Sequence, residues 1–214
     1  SSRAWHVDGM TKVFSSALVE RGVTFWDIGE VFDTQGHPDR YYSATDHHFT
    51  YEGARAAYRA ILERINQDTG LDLSILTDDK LTLTELPNPY LGSQNRKLYG
   101  LWPDDERLVI GTPINEIPFT RTDNDVPMAA SLFDLPADDT TAVTYNVYMG
   151  GDIAETVLDT NRPELPDLLI FGDSFTNPLE TLLYASFNVT RCVDLRYYSE
   201  MTLAEYVELY QPDI

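Results

Sequence analysis

Leu168-Leu-Ile-Phe-Gly-Asp-Ser-Phe-Thr-Asn-Pro178 decides the fold. Leu168 to Phe171 form a short apolar run, the length of a strand covered on both faces, as in a parallel sheet. Gly172 permits the tight backbone that must follow. Asn177-Pro-Leu-Glu180 then offers an N-cap, a proline at the first helical position and a capping-box glutamate, so a helix starts within a few residues of Ser174. A serine hydroxyl on such a turn emerges at the carboxyl edge of a sheet, beside backbone N–H groups that have no partner inside the helix. Open α/β proteins place their ligands there.

Downstream, Leu179, Leu182, Leu183 and Phe187 give an apolar helical stripe and residues 189–195 a second strand, which makes a βαβ unit with a right-handed crossover. Residues 202–210 read as a further helix with Thr202 and Glu205 as its capping box. Gln211-Pro-Asp-Ile214 reads as the start of another strand, so the fold is expected to continue past Ile214.

Upstream, Ala54, Ala57, Tyr58, Ile61, Leu62 and Ile65 share one face of a helix expected from about Tyr51 to Gln67, with Thr50 as N-cap and Gly70 beyond its end. Residues 11–20 predict a short helix stopped by Gly22. Residues 23–28, rich in β-branched and aromatic side chains, predict a strand with Asp27 near its carboxyl end, and residues 29–42 a loop. Residues 71–160 carry little helical signal. Short strands are expected at 73–76, 80–85, 108–110 and 142–149, in an irregular β-rich insertion folded against the sheet. The expected whole is one α/β domain over residues 1–214.

Charge narrows the partners. With 15 basic and 35 acidic residues the net charge is −20, which argues against nucleic acid and against anionic membrane surfaces. The acidic residues are scattered in short pieces and show no EF-hand spacing, so they read as a solvated face. Cys192 is the only cysteine, which rules out an intrachain disulfide and a cysteine metal cluster. No apolar run is long enough to span a bilayer. Ser1-Ser-Arg3 reads as an interior start, compatible with removal of an export segment.

A serine hydroxyl becomes a useful nucleophile when a base takes its proton and a third group orients that base. The histidines are His6, His37, His47 and His48. Asp46, His47 and His48 lie in chain expected to be extended, just ahead of a helix, where alternate residues face the same way. Asp46 and His48 would share one side and His47 the other. His48 as base with Asp46 as its orienter is therefore the arrangement that suits Ser174. A metal site at Asp46, His47 and His48 is the competing reading, and it lacks a further ligand at a recognisable spacing.

Three stretches in this order, Thr45-Asp-His-His-Phe-Thr-Tyr-Glu-Gly-Ala54, Leu169-Ile-Phe-Gly-Asp-Ser-Phe-Thr-Asn177 and Asp194-Leu-Arg-Tyr-Tyr198, resemble the DHHW protein family, itself similar to the SGNH hydrolases and the alginate O-acetylation proteins. Phe49 stands where the family name has tryptophan. The resemblance implies a three-layer α/β/α fold with a mainly parallel sheet, circularly permuted relative to the ordinary SGNH order. It implies Ser174 as nucleophile, His48 as base, Asp46 as its partner and the Ser174 backbone N–H as an oxyanion donor. Asn177 matches a family asparagine and is a candidate polar contact. Arg196 and Tyr198 match the Arg-Tyr-Tyr stretch and either contact substrate or pack and pair structurally. Gly150-Gly-Asp152 has an aspartate where the SGNH pattern expects an asparagine, and it precedes the serine.

The activity implied is that of a serine esterase or O-acyltransferase acting on acyl groups of a cell-envelope carbohydrate, without metal or cofactor and outside the cytoplasm. The alternative is a non-catalytic carbohydrate-binding module on the same fold, with Tyr90, Tyr99 and Trp102 as stacking surface.

Overall fold

A computed structural model describes residues 2–36, 39–102 and 105–214, with side chains from residue 9 onward. The chain divides into two compact units, Ser1–Pro38 and Asp39–Ile214. The first unit holds helices α1 (Ser2–Val19) and α2 (Ile28–Thr34), so α1 starts well ahead of the expected residue 11. The strand expected at 23–28 does not form. Asp27 instead caps α2, its side chain accepting the Gly29 N–H at 2.8 Å, and this helix-start signal outweighs the β-propensity of the residues before it. The same helix occupies part of the expected 29–42 loop; residues 37–38 of that loop, with His37, lie outside the described residues.

The second unit contains α3 (Tyr51–Thr69), β1 (Leu81–Glu85), α4 (Ser93–Lys97), β2 (Val109–Pro113), β3 (Thr120–Asp123), β4 (Val126–Met128), β5 (Glu155–Asp159), β6 (Leu168–Gly172), α5 (Asn177–Leu183), β7 (Val189–Asp194) and α6 (Leu203–Tyr210). The helix signals hold where caps mark them. Thr50 accepts from the Gly53 N–H and Gly70 ends α3 in the left-handed conformation; Thr202 and Glu205 close the capping box of α6. At α5 the boundary differs by one residue. Asn177 is the first helical residue rather than the cap, Thr176 takes the cap position, and Pro178 sits in the first turn.

The five-stranded sheet runs β4-β3-β5-β7-β6 and is mixed, not mainly parallel: only β6 and β7 are parallel, and the β7–β5, β5–β3 and β3–β4 pairs are antiparallel. β6 is the outermost named strand on its side and is not covered on both faces; Phe171 is 54% exposed. The last residues run along its free side, where Leu169 N donates to Ile214 O at 2.9 Å and Ile214 N to Asp167 O at 3.2 Å. β3, β4 and β5 come from the 71–160 stretch, which thus builds part of the sheet, while β1 and β2 pair as a separate two-stranded sheet. Residues 73–76 and 142–149 are not strands; the latter contain a 3-10 turn at Tyr145–Val147.

The core joins Tyr51, Tyr58 and Leu62 of α3 to Leu182 and Leu183 of α5 and to Leu158 and Leu168 of the sheet. Full burial of each such aliphatic side chain stabilises by roughly 1.5–3 kcal/mol. α3 meets the segment before it at Gly53, where a Cβ would run into the Tyr41 carbonyl oxygen. Residues 41–50 can therefore fold down on the first turn of α3, closed by Thr50 N donating to Tyr41 O at 2.9 Å and Ser43 N to His48 O at 3.1 Å. Among the described residues no helix is long and apolar enough to cross a membrane.

Candidate active site

The turn after β6 is shaped by Asp173, whose carboxylate accepts the Phe175 N–H at 3.0 Å while its carbonyl accepts the Thr176 N–H at 2.9 Å. Ser174 is thereby lifted half-exposed from the carboxyl end of the parallel pair, where Gly172 lies opposite Asp194. Its backbone N–H has no acceptor among the described residues.

The other half of the site comes from the 41–50 loop. Glu106 pins this loop, accepting from Ser43 Oγ at 2.8 Å, Thr45 Oγ1 at 2.7 Å and Thr45 N at 3.1 Å. Gly92 backs the loop so closely that a Cβ there would collide with the Thr45 carbonyl. So held, the loop presents the row that its sequence suggests. His48 Nδ1 lies 2.7 Å from Asp46 Oδ1, and His48 Nε2 lies 2.8 Å from Ser174 Oγ. A carboxylate only accepts, so Nδ1 carries the proton and Nε2 presents its lone pair to the serine hydroxyl. His48 is buried with its ring stacked on Tyr145, centroids 3.8 Å apart and planes 4° apart, and His47 lies 3.8 Å away on centroids.

Asp46 is buried and burial raises its pKa, but hydrogen bonds from His48 and from the Ser93 N–H hold the carboxyl well below the usual carboxylate range. Ser93 N donates to Oδ2 at 2.6 Å, Ser93 Oγ to Oδ1 at 3.0 Å and His47 N to Oδ1 at 2.7 Å. The Tyr90 hydroxyl lies beside this carboxylate, buried and without a well-formed hydrogen bond.

Sequence reasoning missed Ser93 and Tyr145. Ser93 opens α4 after Gly92, a visible helix start, yet nothing local links it to a carboxylate 47 residues away. The opposite-sides expectation for His47 also fails. Residues 44–48 bend instead of extending, and His47 Nδ1 turns back to 3.1 Å from the same Asp46 Oδ1.

Of the remaining candidates, Asn177 is buried and lines a small cavity with Gly151, Thr176 and Asp194. Arg196 binds both carboxylate oxygens of Asp194, at 2.9 Å from Nε and 2.5 Å from Nη2, and reaches Asp152 at 3.1 Å. Tyr198 sets its ring against Tyr206, centroids 5.6 Å apart. Arg196 and Tyr198 thus pair and pack at the end of β7. Of the aromatic residues considered for sugar stacking, Tyr90 is buried, whereas Tyr99 and Trp102 are exposed. A cavity of about 440 Å³ lies behind the loop, lined by Ser43, Phe49 and Tyr90 among others but by none of Asp46, His48 and Ser174.

Ligand atoms of Asp46, His47 and His48 lie within 4.8 Å of one another, close enough to hold a cation. The hydrogen bonds oppose that use. His48 already directs both ring nitrogens, Nδ1 to Asp46 and Nε2 to Ser174, so a cation held by that ring would displace one of the two contacts.

A mixed α/β domain with an SGNH-like row of serine, histidine and aspartate is the class that fold and site define. The sequence profile of the SGNH hydrolase-like domain, acetyltransferase AlgX, matches residues 2–144, and the chain belongs to that family. Similar solved structures are Bacillus cereus PatB1 with a sulfonyl adduct (25% identity, TM-score 0.68, covering 86% of this chain and 62% of that one) and Bacillus cereus PatB1 itself (28%, 0.65, 79% and 58%). A DHHW family protein from Eubacterium siraeum shares the fold (19%, 0.65, 86% and 59%). The chain thus spans about three-fifths of the length of these structures. No curated protein matches it.

Proposed function

We propose that this chain carries out O-acyl transfer on a carbohydrate through an acyl-Ser174 intermediate. The carrying observation is the unbroken hydrogen-bonded row from Asp46 through His48 to Ser174, with each proton placed by the acceptor-only carboxylate at its end. Membership in an acetyltransferase family, and likeness to a PatB1 captured with a sulfonyl adduct, support the same reading.

In this mechanism His48 Nε2 takes the Ser174 proton as Oγ attacks the acyl carbonyl. Asp46 holds the ring and stabilises the imidazolium that forms. The Ser174 N–H, without an acceptor among the described residues, donates to the developing oxyanion. Asn177, under the turn, is a candidate second donor. Arg196, tied to two carboxylates, stiffens the loop after β7, and Tyr198 packs beside it. A three-layer, circularly permuted SGNH arrangement and an extracytoplasmic carbohydrate substrate belong to the same proposal.

The test is hydrolysis of p-nitrophenyl acetate together with labelling by a sulfonyl fluoride. Ser174→Ala should abolish the label and lower turnover at least about 10³-fold. Labelling that survives in the alanine variant would refute the assignment.

A further inference from the structure

His47 takes no part in the row just described, yet the same carboxylate sets its tautomer. Ser93 has one hydroxyl proton and donates it to Asp46 Oδ1 at 3.0 Å. Its oxygen therefore accepts at the 2.7 Å contact with His47 Nδ1, and Asp46 Oδ1, 3.1 Å from that nitrogen, is again only an acceptor. Neutral His47 thus carries its proton on Nδ1 and its lone pair on Nε2, the same tautomer as His48. The two rings differ in where Nε2 points. In His48 it meets Ser174 Oγ, while the His47 side chain is 50% exposed and its Nε2 has no partner among the described residues. The ring centroids are 3.8 Å apart, with Phe175 edge-on to His47 at 6.2 Å.

We infer that His47 is an acceptor-binding residue that selects a polyol over water. The inference rests on the acyl-Ser174 reading. One hydroxyl of the acceptor gives its proton to His48 Nε2 while its oxygen bonds to the acyl carbon. The bond from that carbon to Ser174 Oγ then breaks, and Oγ regains the proton from His48. Free Ser174 and an O-acylated acceptor result, with no net gain or loss of protons. His47 Nε2 accepts a hydrogen bond from a second hydroxyl of the same molecule. A water that donated to both imidazoles would have to use its one oxygen for those bonds and for attack, whereas a polyol is anchored at His47 by an oxygen that does not react. One such hydrogen bond in a partly exposed site corresponds to about a tenfold preference.

The experiment gives the intact chain p-nitrophenyl acetate as donor and cellopentaose or glycerol as acceptor. The p-nitrophenolate burst reports acylation of Ser174, and the ratio of acetylated polyol to acetate reports acceptor choice. His47→Phe and His47→Ala should each lower that ratio about tenfold, and His47→Gln, which keeps an acceptor atom, should restore part of it. An unchanged ratio in either of the first two variants, measured where a burst persists, overturns the inference alone. So does failure of the unmodified chain to acetylate any polyol while it still shows a burst. Absence of a burst in the unmodified chain overturns the acyl-serine reading, and this inference with it.

Discussion

Two buried carboxylates flank the serine turn, and their proton affinities move in opposite directions. Asp46 collects backbone N–H groups, a serine hydroxyl and an imidazole N–H, so it stays ionised despite burial. Glu180, in the first turn of α5, has no such set. Burial pushes its carboxyl up to about 7, against the lowering effects of the Thr176 hydroxyl, the Cys192 thiol and Arg121, with Asp123 adding to the rise. The Thr176 hydroxyl lies 2.9 Å from both Asp173 O and Glu180 Oε1, two acceptors for one proton. A protonated Glu180 relieves that conflict by donating to Thr176. Donor count, more than depth, decides which buried acid keeps its charge. Asp46, which keeps its charge, faces the histidine, and Glu180, which holds its proton up to about pH 7, braces the turn.

Breaking the charged member should have the larger effect. Asp46→Asn leaves a neutral amide facing His48 Nδ1, so the ring loses its fixed tautomer and the support for its charged form. Steady-state kinetics with p-nitrophenyl acetate should show kcat falling about 10⁴-fold, as expected for a Ser–His–Asp row deprived of its acid. A fall of less than tenfold would mean that Asp46 only packs.

The neutral member should reveal itself in stability. Because its folded pKa lies above the unfolded one, the native state binds the extra proton between roughly pH 4.5 and 7. Stability attributable to Glu180 is therefore lost as pH rises through that window, by about 3 kcal/mol in all. Urea unfolding across this range should show that loss, and Glu180→Gln should flatten it. Asp46 acts in the opposite sense. Its lowered pKa contributes stability above the ordinary carboxylate range that is lost only in stronger acid.

Removing one donor from Asp46 is the finest adjustment of the contrast. Ser93→Ala deletes the hydroxyl but keeps the backbone N–H at 2.6 Å. The variant should lose about 1 kcal/mol of stability, read from denaturant midpoints. Its acid-side loss should start in the same pH range as in the unmodified chain but be smaller and end at a higher pH, because Asp46 is held ionised by fewer partners.

What the sequence disclosed was local. Asp46 and His48 stand two residues apart ahead of a capped helix, and Ser174 stands on a Gly-Asp-Ser turn between strand and helix. α3 and α6 announced themselves through Thr50, Gly70 and the Thr202/Glu205 pair. The rest depended on partners distant in the chain. A single βαβ unit invites extrapolation to a parallel sheet, but β3 and β5 approach β7 from a stretch whose short strands have no distinctive periodicity. β6 reads as a fully buried strand because its residues are apolar, yet no other named strand pairs with its far side. Ser93 and Tyr145 escaped notice for the same reason, since their value lies in what they touch, Asp46 and the face of His48.

If the Asp46–His48–Ser174 row works as proposed, it forms an acyl-serine. The direct measurement is mass analysis of the peptide bearing Ser174 after rapid acid quench of a reaction with p-nitrophenyl acetate. The account predicts an acetyl group on Ser174 that appears within the burst, disappears on chase with a polyol and is missing in His48→Ala. Turnover with Ser174 never modified, or an acetyl group carried instead by another residue at the burst rate, would contradict it.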